Sequence, residues 1–240
     1  MYKILIADSL PKHILEKYDK SENISVVDRM VLTKEELIEE ISDYDGLVVR
    51  SRTKVTLDIL AKADKLKLIG RAGAGVDNID TEESTNRGII VMNTPGGNTI
   101  AATEHTIAMM LALMRHIPRA NMSLLEERWD KKLYQGNELF EKIIGVVGLG
   151  KIGYGVAKRL KAFDATILGY DPIVTQEVAD QIGVKLVELD ELVSQSDIIT
   201  IHAPKMPETI DLFNKERMNK CKDGVVIVNC ARGGIVNETD

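Results

Sequence analysis

Along the chain, short runs of consecutive apolar residues alternate with stretches whose apolar side chains recur every three or four positions. Residues 3–7 (KILIA), 46–49 (GLVV), 67–70 (KLIG) and 89–92 (IIVM) predict strands. Between them, 33–42 (TKEELIEEIS) and 56–63 (TLDILAKA) predict helices, each opening on a threonine suited to capping. Pro95-Gly96-Gly97 then breaks the chain, and Asn98 or Thr99 is placed to cap a long helix. Its apolar positions include Ile100, Ile107, Met110, Leu111 and Met114, and Pro118 predicts its far end. The domain boundary is expected near residue 97, giving units 1–97 and 98–240. The second unit resumes the alternation: strand 143–147, helix 152–162, strand 166–170, helix 175–182, strand 198–201, helix 214–220 and strand 225–229. This rhythm predicts an α/β fold, with parallel sheets covered by helices.

Composition narrows the function classes. Of 240 residues, 44% are apolar and 28% charged, the balance of a folded globular chain. A net charge of −6 and 4% aromatic residues argue against nucleic acid as a partner, since neither a basic stripe nor stacking platforms are available. No apolar run approaches the ~18–20 residues of a membrane span. The opening MYKILIADS reads as a strand rather than a targeting leader. Cys221 and Cys230 cannot build a disulfide framework, so a reducing cytoplasm is the expected compartment.

The chemistry concentrates in KIIGVVGLGKIGYGVAKRLKAFDATILGYD. Gly148-x-Gly150-x-x-Gly153 follows one predicted strand and opens a helix, and the next strand ends in Asp171, 21 residues after Gly150. The first glycine permits a tight turn, the second lets backbone approach a pyrophosphate, and the third lets helix and strand pack closely. A carboxylate at Asp171 suits ribose hydroxyls and repels a 2′-phosphate, which favours NAD over NADP. A phosphate-binding P-loop starting at Gly145 fails, because Ile152 stands where a Mg²⁺-binding hydroxyl is required.

The ordered segments VRSRTKV, GRAGAGVDNID, NTPGGNT, GLGKIG, YDP and NCARGG resemble the D-isomer-specific 2-hydroxyacid dehydrogenases over essentially the whole chain. The resemblance implies two doubly wound domains, a flavodoxin-like substrate domain and an NAD-binding Rossmann domain, with substrate and nicotinamide meeting in the cleft between them. It implies that Arg232 is catalytic, binding the substrate carboxylate and polarising its reacting oxygen. A planar, permanently charged fork suits that task. Arg50, Ser51, Arg71 and Gly73 are implied substrate contacts: the arginines for anionic groups including a phosphate, and the Gly73 region for backbone N–H groups to the carboxylate. NAD contacts implied by position are Ala74, Gly148, Gly150, Lys151, Ile152, Gly153, Asp171, Ala203, Cys230, Ala231 and Arg232. No metal is implied. The paired arginines favour a phosphorylated acid, 3-phosphoglycerate or a relative, over glyoxylate, hydroxypyruvate or D-lactate. The long helix 99–115 and the segment around Trp129 carry more apolar surface than one domain needs, so a homodimer or higher homo-oligomer is expected.

In the family a glutamate and a histidine further along assist the arginine, and neither motif lies within residues 1–240. His105 follows Glu104 in the long helix, but adjacent helical residues diverge by ~100° and do not face one another. His202 has no proton-transfer role in the family pattern. Two expectations therefore stand side by side: part of a dehydrogenase lacking its last Rossmann strands and inactive alone, or a non-catalytic NAD-binding dimerisation module.

Overall fold

The computed structural model describes residues 1–18 and 21–240. The chain divides into two compact units, Met1–Asn98 and Thr99–Asp240.

The first unit runs β1 (Tyr2–Ile6), α1 (Lys12–Tyr18), β2 (Ile24–Asp28), α2 (Lys34–Glu40), β3 (Gly46–Val49), α3 (Leu57–Leu60), β4 (Leu68–Arg71), α4 (Thr81–Asn86) and β5 (Ile90–Asn93). Its strands are parallel in the order β2-β1-β3-β4-β5, the flavodoxin-like arrangement. Leu5, Leu47, Val49, Ile59, Leu60 and Ile69 are fully buried in its core. Thr33 caps α2 with a reciprocal capping box to Glu36. Thr56 does not cap α3: its hydroxyl binds the Asp58 carboxylate instead, and the expected helix 56–63 shrinks to one turn.

The second unit runs α5 (Thr99–Met114), α6 (Ile117–Leu125), β6 (Ile143–Val147), α7 (Lys151–Leu160), β7 (Thr166–Tyr170), α8 (Gln176–Asp180), β8 (Lys185–Leu186), α9 (Leu189–Gln195), β9 (Ile198–Ile201), α10 (Lys215–Met218) and β10 (Val226–Asn229). The parallel order is β10-β9-β6-β7-β8, which is 3-2-1-4-5 read from the other edge, as in a Rossmann domain. Successive residues feed opposite cores. Ile144, Val146 and Ile198 pack on one face with Val156 and Leu160, while Val147, Ile199 and Ile201 pack on the other with Leu192 and Phe213.

Pro118 does not end the long helix. The chain leaves α5 at Met114, His116 takes a left-handed φ of 53°, and Pro118 sits in the first turn of α6, where its missing N–H costs nothing. The strands β2 and β8 escape the apolar-run reading because polar Ser25 and Asp28 interrupt β2 and β8 is only two residues long. Every residue of β2 is partly or fully exposed, so the run of apolar residues is shorter there.

Candidate active site

In each sheet the strand order reverses at one point, between β1 and β3 in the first unit and between β6 and β9 in the second. Open α/β sheets bind ligands outside the carboxyl ends of the strands at such points.

In the second unit, β6 delivers Gly148 in a left-handed conformation at φ 89°, and its N–H donates to the Tyr170 carbonyl at 2.8 Å. A Cβ there would lie 2.8 Å from the His202 carbonyl carbon, and one on Gly153 would overlap the Gly148 carbonyl oxygen. Gly150 is the opposite case: a Cβ would meet nothing within 4 Å. Two glycines therefore serve the packing of loop on strand and helix. The third leaves open space at the N-terminus of the ten-residue α7, where unpaired N–H groups and the dipole favour an anion. Lys151 is exposed in that first turn and Ile152 half-buried.

Asp171 follows β7 and turns back on this loop. One carboxylate oxygen accepts from Leu149 N–H at 2.7 Å; the other accepts from Ile173 and Val174 N–H at 2.9 and 3.1 Å. Three of its roughly four acceptor positions are thus committed. The sequence reading gave Asp171 to ribose alone, and the structure adds a second task, fixing the glycine loop. Beside it lies an open hollow of about 550 Å³ lined by Tyr170, Asp171, Pro172, Leu186, Val187 and Glu188. Glu188, which sequence reasoning missed, adds a second negative charge to the wall. An open glycine turn, a helix N-terminus and an acidic hollow fit a dinucleotide without a 2′-phosphate.

The ends of β9 and β10 complete this unit's site. His202 shares a 3.0 Å hydrogen bond between its Nε2 and the Thr200 hydroxyl, and burial pushes its pKa down to about 4. Its ring is therefore neutral near pH 7. Ala203 is half-buried against the core. After β10, Asn229 shapes the arginine loop: its carbonyl oxygen accepts from Ala231 N–H at 3.1 Å and its amide donates to the Arg232 carbonyl at 2.8 Å. Cys230 and Ala231 pack on opposite cores, and the Arg232 guanidinium, half-buried, donates to the Ala231 carbonyl at 2.8 Å. Asn229 was legible only as the last residue of a strand.

In the first unit, Arg50 follows β3 and Arg71 ends β4, with Val49 paired in register with Arg71. Arg50 and Ser51 are exposed, and the Arg50 guanidinium donates to the Ser9 carbonyl at 3.4 Å. The Arg71 guanidinium folds over Gly73 so closely that a Cβ would collide with it. The N–H of Gly73 itself donates to the Arg71 carbonyl at 2.8 Å, closing a tight local turn. The Ala74 carbonyl accepts from the Asn93 amide at 2.6 Å. The structure thus brings together Arg50, Ser51, Arg71, Gly73 and Ala74 in one unit, and the remaining predicted residues in the other. His105 is exposed on α5, with neighbouring Glu104 also exposed. Among the described residues, no group of three or more His, Cys, Asp or Glu side chains is placed to hold a metal ion, and no helix is long and apolar enough to cross a membrane.

Residues 107–240 match the NAD binding domain of the D-isomer specific 2-hydroxyacid dehydrogenases. The chain belongs to that family. A D-3-phosphoglycerate dehydrogenase of Archaeoglobus fulgidus is 49% identical over 236 residues, 98% of this chain and 45% of that protein. The chain therefore spans about half the length of the curated relatives it matches. Among solved structures, the NAD complex of an NAD-dependent formate dehydrogenase from Staphylococcus aureus is similar with a TM-score of 0.88 at 31% identity, over 99% of this chain and 76% of that one. A D-lactate dehydrogenase of Aquifex aeolicus, complexed with NAD and lactic acid, gives 0.88 at 28% identity over 98% of this chain and 70% of that one. As a member of the 2-hydroxyacid dehydrogenases, the chain carries an NAD-binding domain, and the glycine loop, Asp171 and the β9 and β10 ends lie within the residues that match it.

Proposed function

We propose that the chain provides the NAD-binding and acid-binding parts of a D-3-phosphoglycerate dehydrogenase, the oxidation that opens a phosphorylated route to serine. The observation that carries the choice of acid is the arginine pair at neighbouring strand ends, Arg50 after β3 and Arg71 on β4. One carboxylate needs one guanidinium fork; further fixed cations suit an acid with a second anionic group. Arg232 is assigned the carboxylate and the polarisation of the reacting oxygen, Arg50, Ser51 and Arg71 the phosphate end, and Gly73 the space over which Arg71 folds. Ala74, Ala203, Cys230 and Ala231 are assigned packing and backbone contacts to the nucleotide. NAD, when bound, accepts the hydride from the carbon that bears the hydroxyl. Gly148, Gly150, Gly153, Lys151 and Ile152 present the first turn of α7 to its pyrophosphate, and Asp171 holds the ribose. His202, shared with Thr200, braces the loop.

The same reading includes a homodimer through the second unit. Leu125, Trp129 and Leu133 are 71%, 77% and 71% exposed, and Leu113, Ile117, Met122 and Leu124 are exposed beside them in sequence. An apolar set of this extent is typical of a surface that a second copy covers.

Turnover by the full-length protein tests the proposal. NADH formation from 3-phosphoglycerate should exceed that from D-lactate and formate by at least an order of magnitude in kcat/KM. Preference for either unphosphorylated acid would overturn the assignment.

A further inference from the structure

The first unit's arginine loop is held by a residue that neither the motif reading nor the family likeness singled out. Because β1 and β3 pair in parallel with Ile6 opposite Val48, Asp8 arrives level with Arg50 where the sheet order reverses. Asp8 is 3% exposed. One of its oxygens accepts from Arg50 N–H at 2.6 Å and from Thr53 N–H at 3.3 Å; the other accepts from the Arg52 Nε at 3.1 Å. Arg52 also reaches the Ala7 carbonyl at 3.4 Å. From the other side, the Asn78 amide donates to the carbonyls of Arg50 and Thr53 at 2.7 and 2.6 Å. Residues 50 and 53 are therefore each gripped by both their N–H and their C=O.

We propose that Asp8, with Asn78, is a positioning residue for acid binding: it fixes the loop 50–53 so that Arg50 is presented to the phosphate end of the substrate, and it draws Arg52 out of that role. This rests on the functional reading given above and deepens it.

Electrostatics alone would predict the opposite. A carboxylate beside an anion site repels the anion, so removing its charge should tighten binding. A positioning carboxylate should weaken binding when altered, because an amide side chain cannot accept from Arg50, Arg52 and Thr53 with the same geometry. The sign of the effect separates the two.

Affinities for 3-phosphoglycerate and for NADH are measured by titration calorimetry on the full chain and its Asp8→Asn, Asn78→Ala, Arg50→Ala and Asp8→Asn/Arg50→Ala variants. Asp8→Asn should weaken 3-phosphoglycerate about tenfold, the scale of a charge-assisted contact, and leave NADH within about twofold. Asn78→Ala should show the same selective loss, and it carries the test if Asp8→Asn does not fold. The double variant should bind no worse than Arg50→Ala, since Asp8 acts through Arg50. Equal or tighter binding by Asp8→Asn, unchanged affinity in Asn78→Ala, or losses that multiply in the double variant would each overturn the proposal. If the unaltered chain prefers D-glycerate to its phosphorylated form, the functional reading itself is what fails. The clamp is then judged alone by amide hydrogen exchange, which should quicken at Arg50 and Thr53 in Asp8→Asn, and unchanged exchange would overturn it too.

Discussion

At the switch point of the second unit the chain turns on glycine; at that of the first it turns around a buried carboxylate. Gly148 and Gly153 let backbone meet backbone, and the open surface at Gly150 is bare peptide with a helix N-terminus behind it. In the first unit, Asp8 and Asn78 gather a loop from which the exposed Arg50 side chain projects, while the Arg52 guanidinium is held by Asp8. The same doubly wound plan thus supports two ways of meeting an anion. Backbone N–H groups are fixed and uncharged, and they suit a pyrophosphate that must always lie in one place. Arginine forks are charged and adjustable, and they need a second group to hold them.

The difference sets where substitutions should hurt. The largest effect is expected at Gly153. An alanine Cβ would collide with the Gly148 carbonyl, which is backbone and cannot swing aside. Gly153→Ala should destabilise the second unit by about 3 kcal/mol or more, seen as a fall in denaturation midpoint with the first unit's transition unmoved. A variant of unchanged stability would show that the loop does not depend on that close approach.

A pH effect of similar size is expected at His202. Its folded pKa is about 4 against 6.5 for a free imidazole, so the unfolded chain takes up the proton first on acidification. Stability is full above pH 6.5 and falls as the pH drops toward 4, by at most about 3 kcal/mol. His202→Gln, which keeps a donor for Thr200 but cannot titrate in this range, should flatten that slope in urea titrations between pH 4 and 7. A slope unaltered by the substitution would place the acid sensitivity elsewhere. Asp8 adds a smaller and more acidic component in the first unit. Burial alone would raise its pKa, but hydrogen bonds from Arg50, Arg52 and Thr53 outweigh this and hold it below the usual 3.8. Its contribution is therefore full above that value and is lost only below it.

Much of the second unit's site was legible in the sequence, because glycine spacing and a strand-ending aspartate carry their meaning locally. The glycine loop, Asp171 and the strand that delivers Arg232 all lie where the pattern placed them. What was not legible depends on long-range contacts. Asp8 bonds residues 42 to 45 positions away, and nothing in ADSL marks it apart from its place after a buried strand. The turn that Gly73's own N–H closes on the Arg71 carbonyl, two residues earlier, likewise leaves no compositional sign. The edge strand β2 fell short of the apolar-run criterion for a related reason: none of its residues is fully buried.

A smaller effect is expected at Asp171, since its carboxylate both faces the nucleotide hollow and holds Leu149. Asp171→Ala should narrow the preference for NADH over NADPH about tenfold, comparable to one charge-assisted contact. Glu188 should retain part of the discrimination, so Asp171→Ala/Glu188→Gln should narrow it further. A double variant that discriminates as well as the unaltered chain would remove both acids from cofactor choice.

The division of labour between the two switch points is tested most directly by one pair of variants in the full-length protein, Gly150→Ala and Arg50→Ala. Calorimetric titration with NADH, and with 3-phosphoglycerate at saturating NADH, gives four affinities. A Cβ at Gly150 meets no protein atom, so the fold should tolerate it while the pyrophosphate cannot. The prediction is that Gly150→Ala weakens NADH at least tenfold with stability unchanged, and that Arg50→Ala weakens 3-phosphoglycerate about 10–100-fold with NADH unchanged. Loss of NADH affinity in Arg50→Ala, or full NADH affinity in Gly150→Ala, would contradict the account.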